Sequence, residues 1–457
     1  MRNVLLLALL VPMAVLAVDK TQTVTTIAPE TGVVSNEPVT RVDGNGQPGE
    51  PRVLIGAVDT IGGTTYDWQV NGPAYRTLVY SPGFGIHALW MYSASDQSTF
   101  PDRNMRYNFW DESAGAWNWI DPDFMQSGVN VFTEKCGYGN LDADPSTGVA
   151  VVSSHLGTPI HPEIARDMAP GAGIFEYCSG SPVADGYLWP YISIDAHTTI
   201  HIHCIDDASR NMVYYTAVDP WCTFSTPVGV ASPQPDPNFC NQNIAASKVS
   251  DKVALAWEFS EGAPDPGFYR ISTDGGSSWQ NPEELPWPAA YGGDTATSYH
   301  ITSMFPYWDR SDMLHIFATV QPFVAGTGYI WSQLWHWSPD QSPRWTHIHT
   351  GQCDPANLGA AVGYNALYAS RMSAGEDADG NVYIAWEEFD SLNVEAGPPE
   401  VLRADIFVAG SGDGGMTWGA PVKLTAGGTG SHRFPSIVDR AFSLGSDEDY
   451  IGVLYEI

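Results

Sequence analysis

The sequence predicts an all-β fold, a β-propeller with seven blades favoured over six and its last blade closed by strands from the N-terminal side. Three observations lead there. An octet, Ser272-Thr273-Asp274-Gly275-Gly276-Ser277-Ser278-Trp279, returns almost letter for letter as Ser411-Gly412-Asp413-Gly414-Gly415-Met416-Thr417-Trp418. Short apolar runs, each after a turn with Asp or Gly, recur about 50 to 70 residues apart, a spacing that suits a four-stranded blade with sizeable loops. The 457 residues include 12% aromatics, 17 Trp, 45 Gly and 34 Pro but only 16% charged side chains, a composition of many short strands and turns around packed rings.

Taken in order, residues 1–17 carry one Arg, an apolar run and Val15-Leu16-Ala17 at the end, the pattern of a secretory signal peptide. The run is shorter than the ~20 apolar residues that a spanning helix needs, and no later stretch is apolar for that long. Residues 18–50 are rich in Thr, Val, Pro, Gly and Asn without periodicity and read as a flexible spacer. Residues 51–457 are expected to form a single propeller domain, placed outside the cell or on its surface.

Within that domain the runs at 86–90, 149–152, 200–204, 253–257, 314–317, 382–386 and 451–455 are assigned to the second strand, B, of seven blades. Segments just before them, such as 187–195 and 433–439, supply the inner strand A. Strand C is assigned to 105–109, 173–177, 212–215, 268–271, 330–335 and 406–409. The seventh unit has only A and B before Ile457, so 52–58 and 64–70 are expected to supply its C and D and cover an otherwise exposed edge. Six blades follow instead if one unit is an insertion.

Each octet comes after a short strand and reads as a hairpin turn. Asp274 and Asp413 accept backbone N–H groups across the turn, Gly276 and Gly415 take φ > 0, Ser272 and Ser411 add local bonds, and Trp279 and Trp418 pack beneath. An eroded copy at 338–345 keeps Ser338, Asp340 and Trp345, and a fainter trace runs from Asp111 to Trp117. The pattern resembles the Asp-box, or BNR repeat, of sialidases and related secreted propellers. That resemblance implies a propeller whose boxes are structural and lie on the face away from the active site, so function must be argued elsewhere.

A formal net charge of −32 disfavours nucleic acid and anionic membranes as partners. Cys136, Cys178, Cys204, Cys222, Cys240 and Cys353 suit disulfides in an exported chain, and none has a zinc-type spacing. No metal and no cofactor is assigned. His201 and His203, with His87 and His315 on corresponding strands, read as core hydrogen-bonding groups. Asp142, Asp144, Glu376, Asp377 and Asp379 fall in A–B turns, where Asp-Gly chemistry suffices without calcium.

In a propeller the B–C and D–A loops share one face, where the chemistry is to be sought. The loop around 100–108 gathers Asp102, Arg103, Arg106 and Tyr107. A second, 154–171, holds His155, His161, Glu163, Arg166 and Asp167, and a third, 387–403, holds Glu387, Glu388, Asp390 and Glu395. Ordinary solvated ion pairs explain these loops equally well. Arg76, Arg371 and Arg433 lie on inner strands of neighbouring units around a closed ring. The resemblance implies three arginines around a substrate carboxylate, a task that guanidinium forks suit. The match is positional, because the family's Phe/Tyr-Arg-Ile-Pro signature is absent and Pro51-Arg52-Val53-Leu54 is its nearest approach. Inter-blade salt bridges are the competing explanation.

The resulting expectation is a secreted propeller that binds or processes an extracellular glycan or glycoprotein. As an enzyme it would be a sialidase-like glycoside hydrolase, with Asp102 or Glu388 as general acid and Arg76, Arg103, Arg106, Tyr107, Arg371 and Arg433 holding substrate. The alternative is a catalytically silent propeller for adhesion, scaffolding or display.

Overall fold

The computed structural model describes most of the chain from Val58 to Ile457; residues 1–57, 71–75, 231–241, 259–265, 289–297, 352–361, 363–365 and 444–448, with several shorter stretches, are not described. Among the described residues the fold is all-β, with one short 3-10 turn at Phe124–Gln126, and its sheets form a six-bladed propeller. No helix among them is long and apolar enough to cross a membrane.

Every blade is built on a four-stranded antiparallel meander, to which blades one, three and five add a short fifth strand. Blade one runs Leu78–Ser81, Gly85–Tyr92, Asn104–Asp111 and Ala116–Trp117, and blade two Cys136–Ala143, Ala150–Leu156, His161–Asp167 and Phe175–Tyr177. Blade three runs Tyr187–Ile194, Ile200–Asp206, Met212–Val218 and Thr223–Phe224, and blade four Gln242–Ala246, Val253–Glu258, Gly267–Ser272 and Glu283–Leu285. Blades five and six begin at Ser298–Trp308 and Ala369–Glu376 and end at Trp345–Thr350 and Val422–Lys423. Runs of Val, Ile, Leu and Ala in the second strands are buried on both faces, as sheets packed between neighbours require. Trp257, Trp337 and Trp386 are fully buried between blades.

The seventh blade expected from the sequence does not form. Arg433–Ile437 pairs with Val453–Glu456 as a two-stranded terminal sheet, beside a separate hairpin of Phe442–Ser443 with Asp449–Tyr450. The described residues of 64–70 carry no strand, and 52–57 lie outside the described residues. The physical reason is that Tyr66 and Val70 are buried in the propeller rather than alternating along a sheet edge. Side-chain and backbone bonds link the inner strands in a circuit. Leu141 N donates to Arg76 O, Ile192 N to Asn140 Oδ1 and Ala246 N to Ser193 Oγ. Asn243 Nδ2 donates to Met304 O, and between blades five and six the link runs from Ala369 N to Ser332 Oγ, just before blade five's third strand. Ile437 N donates to Ser373 Oγ and Thr77 N to Ser436 Oγ, so the terminal sheet bridges blade six to blade one.

Several assigned loops are strand. His161–Asp167 is the third strand of blade two, and Phe175–Tyr177 is its fourth, not its third. Val382–Glu395 and Val401–Ser411 extend blade six through much of the expected loop, with a bulge between Asp390 and Val394.

The two octets adopt the same turn. Asp274 Oδ1 accepts from Ser278 N at 2.8 Å and Oδ2 from Ser278 Oγ at 2.6 Å, while Ser272 Oγ accepts from Gly276 N at 2.8 Å. Asp413 repeats this with Thr417 at 2.9 and 2.6 Å, and Ser411 Oγ accepts from Gly415 N at 2.7 Å. Gly275, Gly276, Gly414 and Gly415 all have φ between 64° and 93°. Asp144 and Asp377 each accept two backbone N–H groups in their own turns. Cys178 and Cys222 form a disulfide, Cys136 and Cys204 are buried thiols, and Cys240 and Cys353 lie outside the described residues.

Candidate functional site

The inner strands share a feature that sets up the mouth of the propeller. Those of blades two, three, five and six and of the terminal sheet each break register near their start, on the face opposite the octets. In every bulge one non-glycine residue takes the left-handed conformation: Tyr138, Trp189, Ser303, Arg371 and Phe434, with φ of 55°, 48°, 50°, 60° and 55°. Such positions cost about 1–3 kcal/mol each and persist where surroundings hold them.

Three of the bulges are latched to the blade before. Tyr138 N donates to Met91 Sδ at 2.8 Å, Trp189 N to His155 Nδ1 at 3.4 Å and Phe434 N to Glu387 Oε2 at 3.0 Å. The acceptor each time is a side chain of the preceding blade's second strand. An N–H released from its ladder is thereby satisfied in the neighbouring blade.

Tyr66 and residues 68–70 lie across this mouth. Tyr66 Oη and Tyr138 Oη lie 3.0 Å apart, the Trp68 and Phe434 rings are 6.4 Å apart, and Val70 joins the cluster of Tyr191, Trp189 and Phe434. Gln69 ties the segment to blade one, accepting from Met91 N at 2.6 Å and donating to Met91 O at 3.1 Å. Touching blades one, two and three and the terminal sheet, these few residues sit on the axis.

The charged centre of the mouth is Glu387, fully buried between Arg371 and Arg433. Its Oε1 accepts from Arg371 Nη1 and, at 3.2 Å, from Arg433 Nη2; Oε2 accepts from Arg433 Nε at 3.2 Å and from Phe434 N. Burial pushes the carboxyl pKa up, but Arg371 and Arg433 together with the bonds from Arg433 and Phe434 N outweigh it and hold the group at about 2. The Phe434 ring lies 5.1 Å from the Arg371 guanidinium and 4.5 Å from that of Arg433.

The expected convergence of three arginines on one open pocket is not what the structure holds. Arg371 and Arg433 share Glu387. Arg76 donates to Ala374 O and Ile437 O and lies against Phe305 and Tyr307, lower on the axis. Arg103 donates to Cys136 O and Tyr66 Oη and lies over the Tyr66 and Tyr138 rings, beside the mouth. Arg106 is spent on Ser127 O, Asn130 Oδ1 and Gln126 O at the outer part of blade one. Tyr107 is buried, bonded to His87 Nδ1 at 2.7 Å, and burial raises its phenol pKa well above the ordinary value.

The two candidate acids differ. Burial acts upward on Asp102 and is outweighed by bonds from Ser93 Oγ and Ala94 N, so its pKa lies below the ordinary value. Glu388 faces His349 at 2.9 Å and accepts from Trp386 Nε1 at 3.1 Å. A second buried pair, Glu258 with His300, lies between blades four and five; His300 also faces Gln321, and burial lowers its pKa to about 4. His201 bonds Tyr214 Oη and Asp195, but neither ring nitrogen of His203 has a hydrogen-bond partner among the described residues.

Sequence reasoning named Arg371, Arg433 and Glu387 but missed the bulges, the ion pairing that joins these three, and the segment across the mouth. Repetition of Ala-Trp-Glu at 256–258 and 385–387 was the available signal, since both glutamates face the next inner strand.

Beside the mouth a cleft of about 510 Å³ opens between blade one and the terminal sheet, with Arg371 and Phe434 at its inner end. Trp90 and Trp117 line it from blade one, Phe442 and Tyr455 from the terminal side, and 58–64 along its length.

No protein-family model and no curated protein matches the chain. Among solved structures it is similar to an alpha-L-arabinofuranosidase from Fusarium graminearum in complex with an iminosugar inhibitor, at 12% identity over 75% of this chain and 98% of that one, TM-score 0.42. A protein of unknown function from Dyadobacter fermentans matches at 11% identity, 76% and 96% coverage and TM-score 0.43. A Hadza microbial sialidase matches at 14% identity, 84% and 63% coverage and TM-score 0.36. The functional argument therefore rests on the side chains.

Proposed function

We propose that this chain is an exported propeller that binds an extracellular glycan or glycoprotein at its axial mouth. The observation that carries the reading is the ring of left-handed bulge residues, Tyr138, Trp189, Ser303, Arg371 and Phe434, drawn together at one end of the axis. Left-handed non-glycine backbone clusters at functional sites, and the half-buried rings of Tyr138 and Trp189, with few polar anchors, suit sugar rings. The signal-like N-terminus supports export, and the paired octets support kinship with secreted Asp-box propellers, with the boxes as stability devices.

Binding is placed ahead of hydrolysis. Glycoside hydrolysis needs one carboxyl kept protonated beside a second carboxylate. Asp102 is held ionised by its hydrogen bonds, and Glu388 faces His349. The sharing of Glu387 by Arg371 and Arg433 favours the catalytically silent reading as well, because a carboxylate of the chain itself already holds the place between the two guanidiniums. A glycan array run beside a panel of chromogenic glycosides tests this. Binding without turnover is the expected result; turnover would restore the hydrolase, and neither binding nor turnover would leave a scaffold.

A further inference from the structure

We infer that the cleft between blade one and the terminal sheet is a subsite for a short saccharide that carries no carboxylate, an inference that rests on the glycan reading above. Its volume of about 510 Å³ falls in the roughly 300–1,000 Å³ range of small-molecule sites. Trp90, Trp117 and Tyr455 give it aromatic walls from both sides. Asp59 supplies an exposed carboxylate at the Trp117 edge. Its Oδ2 accepts a long bond of 3.4 Å from Trp117 Nε1, and among the described residues this is the one hydrogen bond the group makes. A carboxylate with spare lone pairs beside an indole can take neighbouring hydroxyls of a sugar whose C–H face rests on the ring.

Charge decides between sugar classes. Among the described residues that line the cleft, Asp59 carries an exposed charge, whereas Arg371 is buried against Glu387 and has 1% of its surface exposed. The charge that an entering sugar meets is therefore the Asp59 carboxylate, in a chain of net charge −32. A uronic or sialic acid entering here would meet like charge without a guanidinium to receive it, so uncharged or amino sugars are preferred.

Isothermal titration of the full chain with neutral hexaoses of glucose, xylose and mannose, with chitosan oligomers, and with oligogalacturonate and sialyllactose tests the inference. Saccharides without a carboxylate should bind at least about tenfold more tightly than the acidic ones, and Asp59→Asn should weaken them about tenfold, the loss of a charge-assisted hydrogen bond. Trp117→Ala should weaken them at least as much. If Trp117→Ala fails to fold, Asp59→Asn and Tyr455→Ala decide. Tighter binding of the acidic sugars, or unchanged binding by folded Asp59→Asn and Tyr455→Ala, would overturn the subsite while leaving the glycan reading in place. Failure of every saccharide to bind would remove the glycan reading and the subsite together.

Discussion

Replacing Glu387 probes the centre of the mouth. The carboxylate is fully buried, and Arg371, with 1% of its surface exposed, depends on it. A carboxyl held at about 2 in the fold against 4.5 when free contributes about 3 kcal/mol at neutral pH. Because the folded pKa is depressed, that contribution is complete above pH 4.5 and fades as the pH falls toward 2. Glu387→Ala removes it and also strands a buried guanidinium and the Phe434 N–H, so a loss of about 3–5 kcal/mol is expected at pH 7. Urea unfolding at a series of pH values gives both numbers. The gap between wild type and variant should be widest near neutrality and narrow progressively between about pH 5 and 2. Replacing the trio together, Glu387→Leu with Arg371→Met and Arg433→Met, should cost less than Glu387→Ala alone, because no charge is left stranded. A loss under about 1 kcal/mol for Glu387→Ala, or a gap independent of pH, would refute the account of a locked carboxylate.

Asp413→Ala should cost about 1–3 kcal/mol by leaving the Thr417 N–H and hydroxyl without their acceptor, read by urea unfolding, with saccharide binding retained in the folded fraction. Gly275→Ala pays only for its left-handed backbone, roughly 1–2 kcal/mol, whereas Gly276→Ala also drives a methyl to 1.7 Å from Tyr214 Oη. The second variant should therefore melt clearly lower than the first; equal melting temperatures would count against docking of the turn on blade three. Removing the Cys178–Cys222 bond, which closes a separation of 44 residues, should cost about 2–4 kcal/mol, measured with and without reductant. Gln69→Ala should leave Met91 N–H without its acceptor and speed hydrogen exchange at that amide, while exchange in blade four stays unchanged.

The blade strands were legible because each is a short apolar run buried on both faces, and the octets because their turn chemistry is carried by residue type alone. The seventh blade was misjudged for a related reason. The run at 451–455 has the composition of a second strand, yet a strand pattern does not reveal whether partners exist to complete its sheet. The 64–70 stretch alternates as a strand would, but its Gln69 side chain replaces a backbone partner at Met91 and frees Tyr66 and Val70 for the axis. The arginine cluster was located on the right strands for Arg371 and Arg433 and still misread, since sequence gives no sign that one buried glutamate serves both. The bulges left no trace at all. Non-glycine residues in the left-handed region are permitted by tertiary latches, here Met91, His155 and Glu387, each in another blade.

Why six blades close the ring can be argued from the buried histidines. His87, His201 and His315 fall at equal intervals in the chain, as do their partners Ser81, Asp195 and Asp309 at the ends of the inner strands. Each histidine then bonds a third-strand side chain, Tyr107, Tyr214 or His336, at 2.7, 2.7 and 2.8 Å. These relays belong to blades one, three and five, and the blade that follows covers each one. Trp279 of blade four packs edge-on to Tyr214 with ring centres 4.9 Å apart, and Trp418 of blade six lies 5.9 Å from His336. In blade two, Phe175 packs edge-on to Tyr107 at 5.2 Å, after a turn in which Asp167 accepts from Gly173 N and Ile174 N. The second glycine of each octet is needed where the neighbour's Tyr214 or His336 tip reaches the turn, since a Cβ there would lie inside van der Waals contact. The repeating unit is therefore a pair of blades, one bearing the relay and one bearing the turn that covers it, and three pairs make the propeller. A seventh unit, with neither histidine nor octet at 451–457, has no place in that pairing and serves instead as the two-stranded bridge between the first and last pairs.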